Sequence, residues 1–159
     1  MVMSWQYIAG FFDGEGSISR RTPRNGYAIT IPQTELNALN EIRSFVGFGS
    51  IYAVAKKHEH WKDNWVYNIH AQREVLHFCE SVAPFLVIKR DKIVAAANDL
   101  WELILRDSLR KQKRDEDIAF AVAMREQGHS YREIASALGS NNRLYARSLL
   151  RSGGVVPRY

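Results

Sequence analysis

The stretch YIAGFFDGEG, Tyr7 to Gly16, sets two carboxylates and three glycines among aromatic and aliphatic residues within ten positions. Ser4 can cap a helix running from about Trp5 to Phe12. Its apolar residues, Trp5, Tyr7, Ile8, Ala9, Phe11 and Phe12, go almost all the way round, so burial on most sides is expected. Asp13 and Glu15 stand at the C-terminal end, where the helix dipole makes an anion cost a few tenths to about 1 kcal/mol. One reading is a polar exit turn, with Gly14 or Gly16 as the residue after the helix. The other starts from Gly10 and Gly14, four apart on one face, which would let a second helix backbone come close. Such a pair would hold two Glu15 side chains near each other. Adjacent carboxylates repel unless a cation lies between them, and a divalent metal answers that need.

Outward from this stretch the period changes. SISRR and GYAITIPQ flank Pro23-Arg24-Asn25-Gly26, and Asn25-Gly26 is a hairpin signal. Leu36, Leu39, Ile42 and Phe45 then recur at helical spacing behind Thr34 as cap, with glycines closing the helix. A second hairpin, SIYAVAKK and NWVYNIHA, is joined by a polar loop. REVLHFCESVAPFL predicts a third helix ending before Pro84, and a long helix begins near Lys89. The order helix, two strands, helix, two strands, helix predicts an α+β fold, αββαββα, with a four-stranded antiparallel sheet. The charge run RKQKRDED, residues 110–117, reads as a boundary between a first domain, 1–112, and a small all-α tail, 113–159. In the tail, Ser130 with Glu133 forms a capping box before an apolar run.

Composition fits that picture. At 159 residues, 46% hydrophobic and 25% charged, the chain matches an ordinary soluble globular protein with one main domain. The net charge of +5 points to an acidic partner, nucleic acid being the commonest. The single cysteine, Cys79, excludes an intrachain disulfide and reads as a small buried thiol. No run approaches a membrane span, and no secretory leader is legible, so an intracellular, soluble protein is expected, in cytoplasm or nucleoid, or in an organelle if encoded there.

IAGFFDGEG, Ile8 to Gly16, resembles the signature of the LAGLIDADG homing endonucleases position for position, with Phe for aliphatics, Gly for an Ala and Glu for the final Asp. The element order through residue 112 is also that family's. The resemblance implies that signature helices meet at a subunit interface, here through Tyr7, Gly10, Phe11 and Gly14. It also implies that Glu15 holds catalytic magnesium ions. One signature per chain implies a homodimer cutting both strands of a long, near-palindromic double-stranded DNA site. By the same resemblance Gln33, in TIPQTE, stands near the catalytic water, and Lys89, in FLVIKRDK, beside the scissile phosphate. Neighbouring Arg90 or Lys92 could serve instead of Lys89.

Alternation along the strands selects a DNA-reading face. With Ile18, Ile29, Ile31, Ile51, Ala53, Ala55, Tyr67 and Ile69 inward, the outward set is Ser17, Ser19, Arg21, Ala28, Thr30, Ser50, Tyr52, Val54, Lys56, Asn68 and His70. Arg20, Arg24, Lys57, His58, His60 and Lys62 lie near hairpin tips and suit phosphate contacts. His58 and His60, two apart on a loop without cysteine partners, are not read as a metal site. The tail resembles a helix-turn-helix, with Tyr131–Leu138 as positioning helix and Asn141–Leu150 as recognition helix. Asn141, Asn142, Arg143 and Arg147 are placed near DNA, over a core of Ile134, Ala135, Leu138, Leu144 and Leu149. The competing functional reading is a non-catalytic DNA-binding regulator of the WhiA type; a third is a maturase assisting intron splicing.

Overall fold

The computed structural model describes residues 2–22, 26–56 and 58–155. Helix α1 spans Trp5–Glu15, with the Ser4 hydroxyl accepting from the Tyr7 N–H at 3.3 Å. It runs three residues past the expected end at Phe12, and both acids lie inside it. Strands β1 (Ser17–Thr22) and β2 (Gly26–Gln33) follow. The Asn25-Gly26 turn falls partly, and Arg24 and Lys57 wholly, outside the described residues. Helix α2 covers Leu36–Val46 and closes on Gly47 at φ +86°, a conformation glycine adopts without strain. Thr34 does not cap it. The helix starts after Glu35 with no side-chain cap, because the Thr34 N–H and hydroxyl both donate to Gln33 Oε1.

Strands β3 (Ser50–Ala53) and β4 (Trp65–Ile69), helix α3 (Gln72–Val82) and a 3₁₀ turn at Ala83–Phe85 complete the expected order, αββαββα, with the start of α4. The sheet is antiparallel with strand order β1-β2-β4-β3. Its register aligns Ile18 with Ile29, Ile29 with Ile69 and Ile31 with Tyr67, so one face is a row of buried aliphatics and one tyrosine. Leu39, Ile42, Val75, Phe78, Cys79, Ile93 and Leu100 of the helices pack in the same core. Tyr67 is accommodated because its hydroxyl donates to the Phe48 carbonyl at 2.8 Å. Ala53 and Ala55 do not join this inner row: β3 ends at Ala53, and both alanines are exposed.

Helix α4 spans Arg90–Glu126 and passes unbroken through the charge run at 110–117. Lys, Arg, Glu and Gln are good helix formers, and Gln112–Glu116 and Lys113–Asp117 pair at helical spacing. Contacts divide the chain into Met1–Leu105 and Arg106–Tyr159. The second unit adds α5 (Tyr131–Ala137) and α6 (Arg143–Ser152) to the end of α4, around Ala121, Ile134, Ala135, Ala146, Leu149 and Leu150. Leu144 is not core: it is 60% exposed, because the buried face of α6 follows Ala146, Leu149 and Leu150. Among the described residues no helix is long and apolar enough to cross a membrane.

Candidate active site

The two acids of α1 have separate environments. Asp13 reaches the start of α4: its Oδ2 accepts from the N–H groups of Val87 (2.7 Å) and Ile88 (3.2 Å), and its Oδ1 from that of Lys89 (2.9 Å). These N–H groups belong to the three residues that lead into α4, so Asp13 pins the entry to that helix from 74 to 76 residues away. Burial raises the Asp13 carboxyl, but the three backbone N–H groups and the Lys89 charge outweigh it and hold the group below the usual aspartate value.

Lys89 returns the contact. Its Nζ donates to the carbonyls of Phe12 (2.9 Å), Asp13 (2.7 Å) and Gly16 (2.7 Å), and lies 5.5 Å from the centre of the Phe12 ring. An ammonium has three protons, and three carbonyls at the negative end of α1 accept them. The residue that the resemblance sets beside the scissile phosphate is bonded here to backbone carbonyls. Gly16 permits the arrangement, since a Cβ there would run into the Phe12 ring.

Glu15 is exposed at the end of α1, and among the described residues no hydrogen bond or ion pair occupies its carboxylate. Gln33 sits at the last position of β2. Since Ser17 pairs with Thr30, Gln33 extends past the start of β1, toward the end of the sheet where α1 terminates. Its Oε1 is engaged by Thr34, and no hydrogen bond among the described residues joins it to Glu15 or Lys89. Arg90 and Lys92 are exposed at the start of α4. The helix α1 is buried on one side only, by Ile8, Ala9 and Phe12; a single chain supplies one packing layer, contrary to the expected burial on most sides. Tyr7 and Phe11 are half-buried and stack at 6.0 Å, while Gly10 and Gly14 are exposed with nothing within 4 Å of an added Cβ.

On the outer face of the sheet Ser17, Ser19, Arg21, Ser50, Tyr52, Val54, Lys56 and His70 are exposed and Thr30 is half-buried. Ser17 and Thr30 are hydrogen-bonded at 2.6 Å, Arg21 approaches His70 at 3.3 Å, and Lys56 pairs with Asp63 at 3.0 Å. Two members of the expected set are covered. Ala28 is 5% exposed, its methyl being too small to rise above its neighbours. Asn68, between Thr30 and Ser50 in the ladder, is also 5% exposed, because its Nδ2 donates to the Tyr52 hydroxyl at 3.4 Å. Its Oδ1 is buried without a partner among the described residues. Arg20 faces α4, pairing with Asp99 at 3.5 Å, and Asp99 also accepts from Tyr27 at 2.6 Å. On the loop His58 stacks on His60 and meets Trp61 edge-on, and Lys62 is exposed.

In the tail, the turn between α5 and α6 carries Gly139 at φ +70°. Asn141 and Asn142 precede α6 rather than belonging to it, and the Asn142 side chain caps it by accepting from the Leu144 N–H at 2.9 Å. Arg143 is exposed and Arg147 half-buried. Sequence reasoning missed the role of Asp13, because its partners are remote, and that of Asp99. Neither has a local signal.

Residues 4–83, half of the chain, match the family model described as a LAGLIDADG-like domain. Among solved structures, the chain is similar to the LAGLIDADG meganuclease I-CpaMI bound to uncleaved DNA, at 20% identity and TM-score 0.52, over 68% of this chain and 39% of that one. It is similar to a double mutant of I-SmaMI at 17% identity and TM-score 0.51, over 76% of this chain and 44% of that one. The homing endonuclease I-CvuI in complex with its target gives 17% identity and TM-score 0.48, over 96% of both chains. A comparison with curated proteins gives no match.

Proposed function

The chain belongs to the LAGLIDADG-like domain family, and from that premise we propose that it is a site-specific DNA endonuclease acting as a symmetric homodimer with magnesium. The observation that carries this reading is Glu15, an exposed carboxylate with no competing bond among the described residues, standing on a helix end that six hydrogen bonds fix in place. A free carboxylate is a hard oxygen donor suited to a divalent cation. One carboxylate is not a site, and the described residues contain no cluster of three His, Cys, Asp or Glu side chains. A second copy packed on the open face of α1, through Tyr7, Gly10, Phe11 and Gly14, would bring a second Glu15 to complete it.

The ion, when bound, supplies charge neutralisation at the phosphodiester and a nucleophilic water at neutral pH. The chain's own residues do the rest. Glu15 from each copy holds the metal. Gln33, at the end of β2, orients solvent beside it. Ser17, Ser19, Arg21, Thr30, Ser50, Tyr52, Val54, Lys56 and His70 lay a polar, partly basic surface along the major groove. The tail, through Asn141, Arg143 and Arg147, lengthens the recognised site. Two copies read two half-sites, which makes the target near-palindromic.

The test is a cleavage selection with purified protein, magnesium and a library of randomised duplexes, with Glu15→Gln in parallel. Enrichment of cut, near-palindromic sites by the native chain alone supports the reading. Duplexes retained by the protein but never cut would overturn it in favour of a non-catalytic regulator built on the same fold.

A further inference from the structure

We infer that Asp13 and Lys89 form a reciprocal clamp that positions Glu15, and that Lys89 acts through the backbone of α1 rather than on the phosphate. The inference rests on the proposed role of Glu15 and deepens it. Each partner holds the backbone at one end of the other's helix. The Asp13 carboxylate takes the N–H groups of Val87, Ile88 and Lys89, the three residues immediately before α4. The Lys89 ammonium takes the carbonyls of Phe12, Asp13 and Gly16 at the negative end of α1. All three ammonium protons are thereby used, and the carbonyls they hold lie on both sides of Glu15 in the chain. Contact with a phosphate would require at least one of these bonds to break. A compact ammonium with three divergent donors fits three converging carbonyls, whereas the planar guanidinium of arginine does not.

The two roles predict different losses. Groups that orient a metal ligand typically tune metal affinity by about 10- to 100-fold. A cation touching the phosphate acts on the transition state and lowers the rate even at saturating metal. The experiment uses the full chain on a duplex recovered by the selection, comparing Lys89→Met, Lys89→Arg and Asp13→Asn. The clamp predicts that all three raise the half-saturating magnesium concentration by about 10-fold or more while the rate at saturating magnesium stays within about 3-fold. Calorimetric titration of calcium into each uncut protein–duplex complex should weaken in parallel. Full activity in Lys89→Arg, with a rate collapse and unchanged calcium affinity in Lys89→Met, would overturn the inference and return Lys89 to the phosphate. A readout free of cleavage is hydrogen exchange in the apo protein: Asp13→Asn should speed exchange at Val87, Ile88 and Lys89, and unchanged exchange there also overturns the clamp. Glu15→Gln runs alongside. If it cuts at the native rate, the endonuclease assignment of Glu15 fails, while the exchange result still judges the clamp.

Discussion

A carboxylate holds the backbone at the start of both α4 and α5, and the two reach it by opposite routes. At α5 the device is local: the Ser130 hydroxyl accepts from the Glu133 N–H at 3.3 Å, and the Glu133 carboxylate accepts from the Ser130 N–H at 2.7 Å, three residues apart. At α4 the carboxylate is Asp13, on another helix and more than seventy residues earlier. The local box stabilises one turn of one helix. The distant cap also fixes where one helix ends relative to where another starts, and it does so beside Glu15. A carboxylate that looks misplaced at the C-terminus of α1 is well placed once the N-terminus of α4 is counted. Glu15, two residues on, holds no backbone group among the described residues, and that leaves it available for chemistry.

The largest effect separates Glu15 from the two acids that hold backbone N–H groups. Glu15→Gln should lower cleavage by about 1,000-fold or more, because the lost charge is the proposed anchor of the metal. Binding to the selected duplex, read by gel shift, should stay near native, and so should the unfolding midpoint, since no internal bond is removed. Asp13→Asn should show the reverse balance of causes. Leaving the backbone donors just before α4 without their charged acceptor should cost about 2 kcal/mol, read by urea unfolding of the full chain. Ser130→Ala, which removes only the local cap, should cost about 1 kcal/mol, with its exchange effect confined to the start of α5. Equal costs for the two substitutions would erase the distinction between distant and local caps.

What the sequence alone revealed follows the same line. The Ser4 cap, the Ser130–Glu133 box, the element order and the burial of Cys79 were all legible, because each depends on residues close in the chain or on simple periodicity. Glu15 stood out for the same reason, as one position in a nine-residue pattern, and its exposure on the end of α1 is what the structure adds. The true length of α4 was not. A run of charges reads as a linker until its members are seen to be helix formers paired four apart. The covering of Asn68 was also out of reach: alternation assigns a residue to a face, but not the Tyr52 side chain that closes over it. Asp13 and Lys89 exposed the limit most clearly. Their partners are set by tertiary packing, and nothing within ten residues of either names the other.

The smallest expected effect is on the pH dependence of stability. Asp13 and Glu133 both have carboxyls held below their usual values, Asp13 by three backbone N–H groups acting against its burial, Glu133 first by its backbone bond to Ser130. A group depressed in the folded state binds its proton more readily when unfolded. Its stabilisation is therefore present in full above the unfolded carboxylate value, about pH 5 and higher, and is lost as pH falls through the folded value. Urea midpoints of the native chain should accordingly decline below about pH 5. Asp13→Asn should flatten that decline, since it removes the proton-linked cap together with its stability. Ser130→Ala should flatten it less, because Glu133 is solvent-exposed and keeps its backbone acceptor role at Ser130. A decline of unchanged slope in Asp13→Asn would mean that the distant cap is not the group that acid first unmakes.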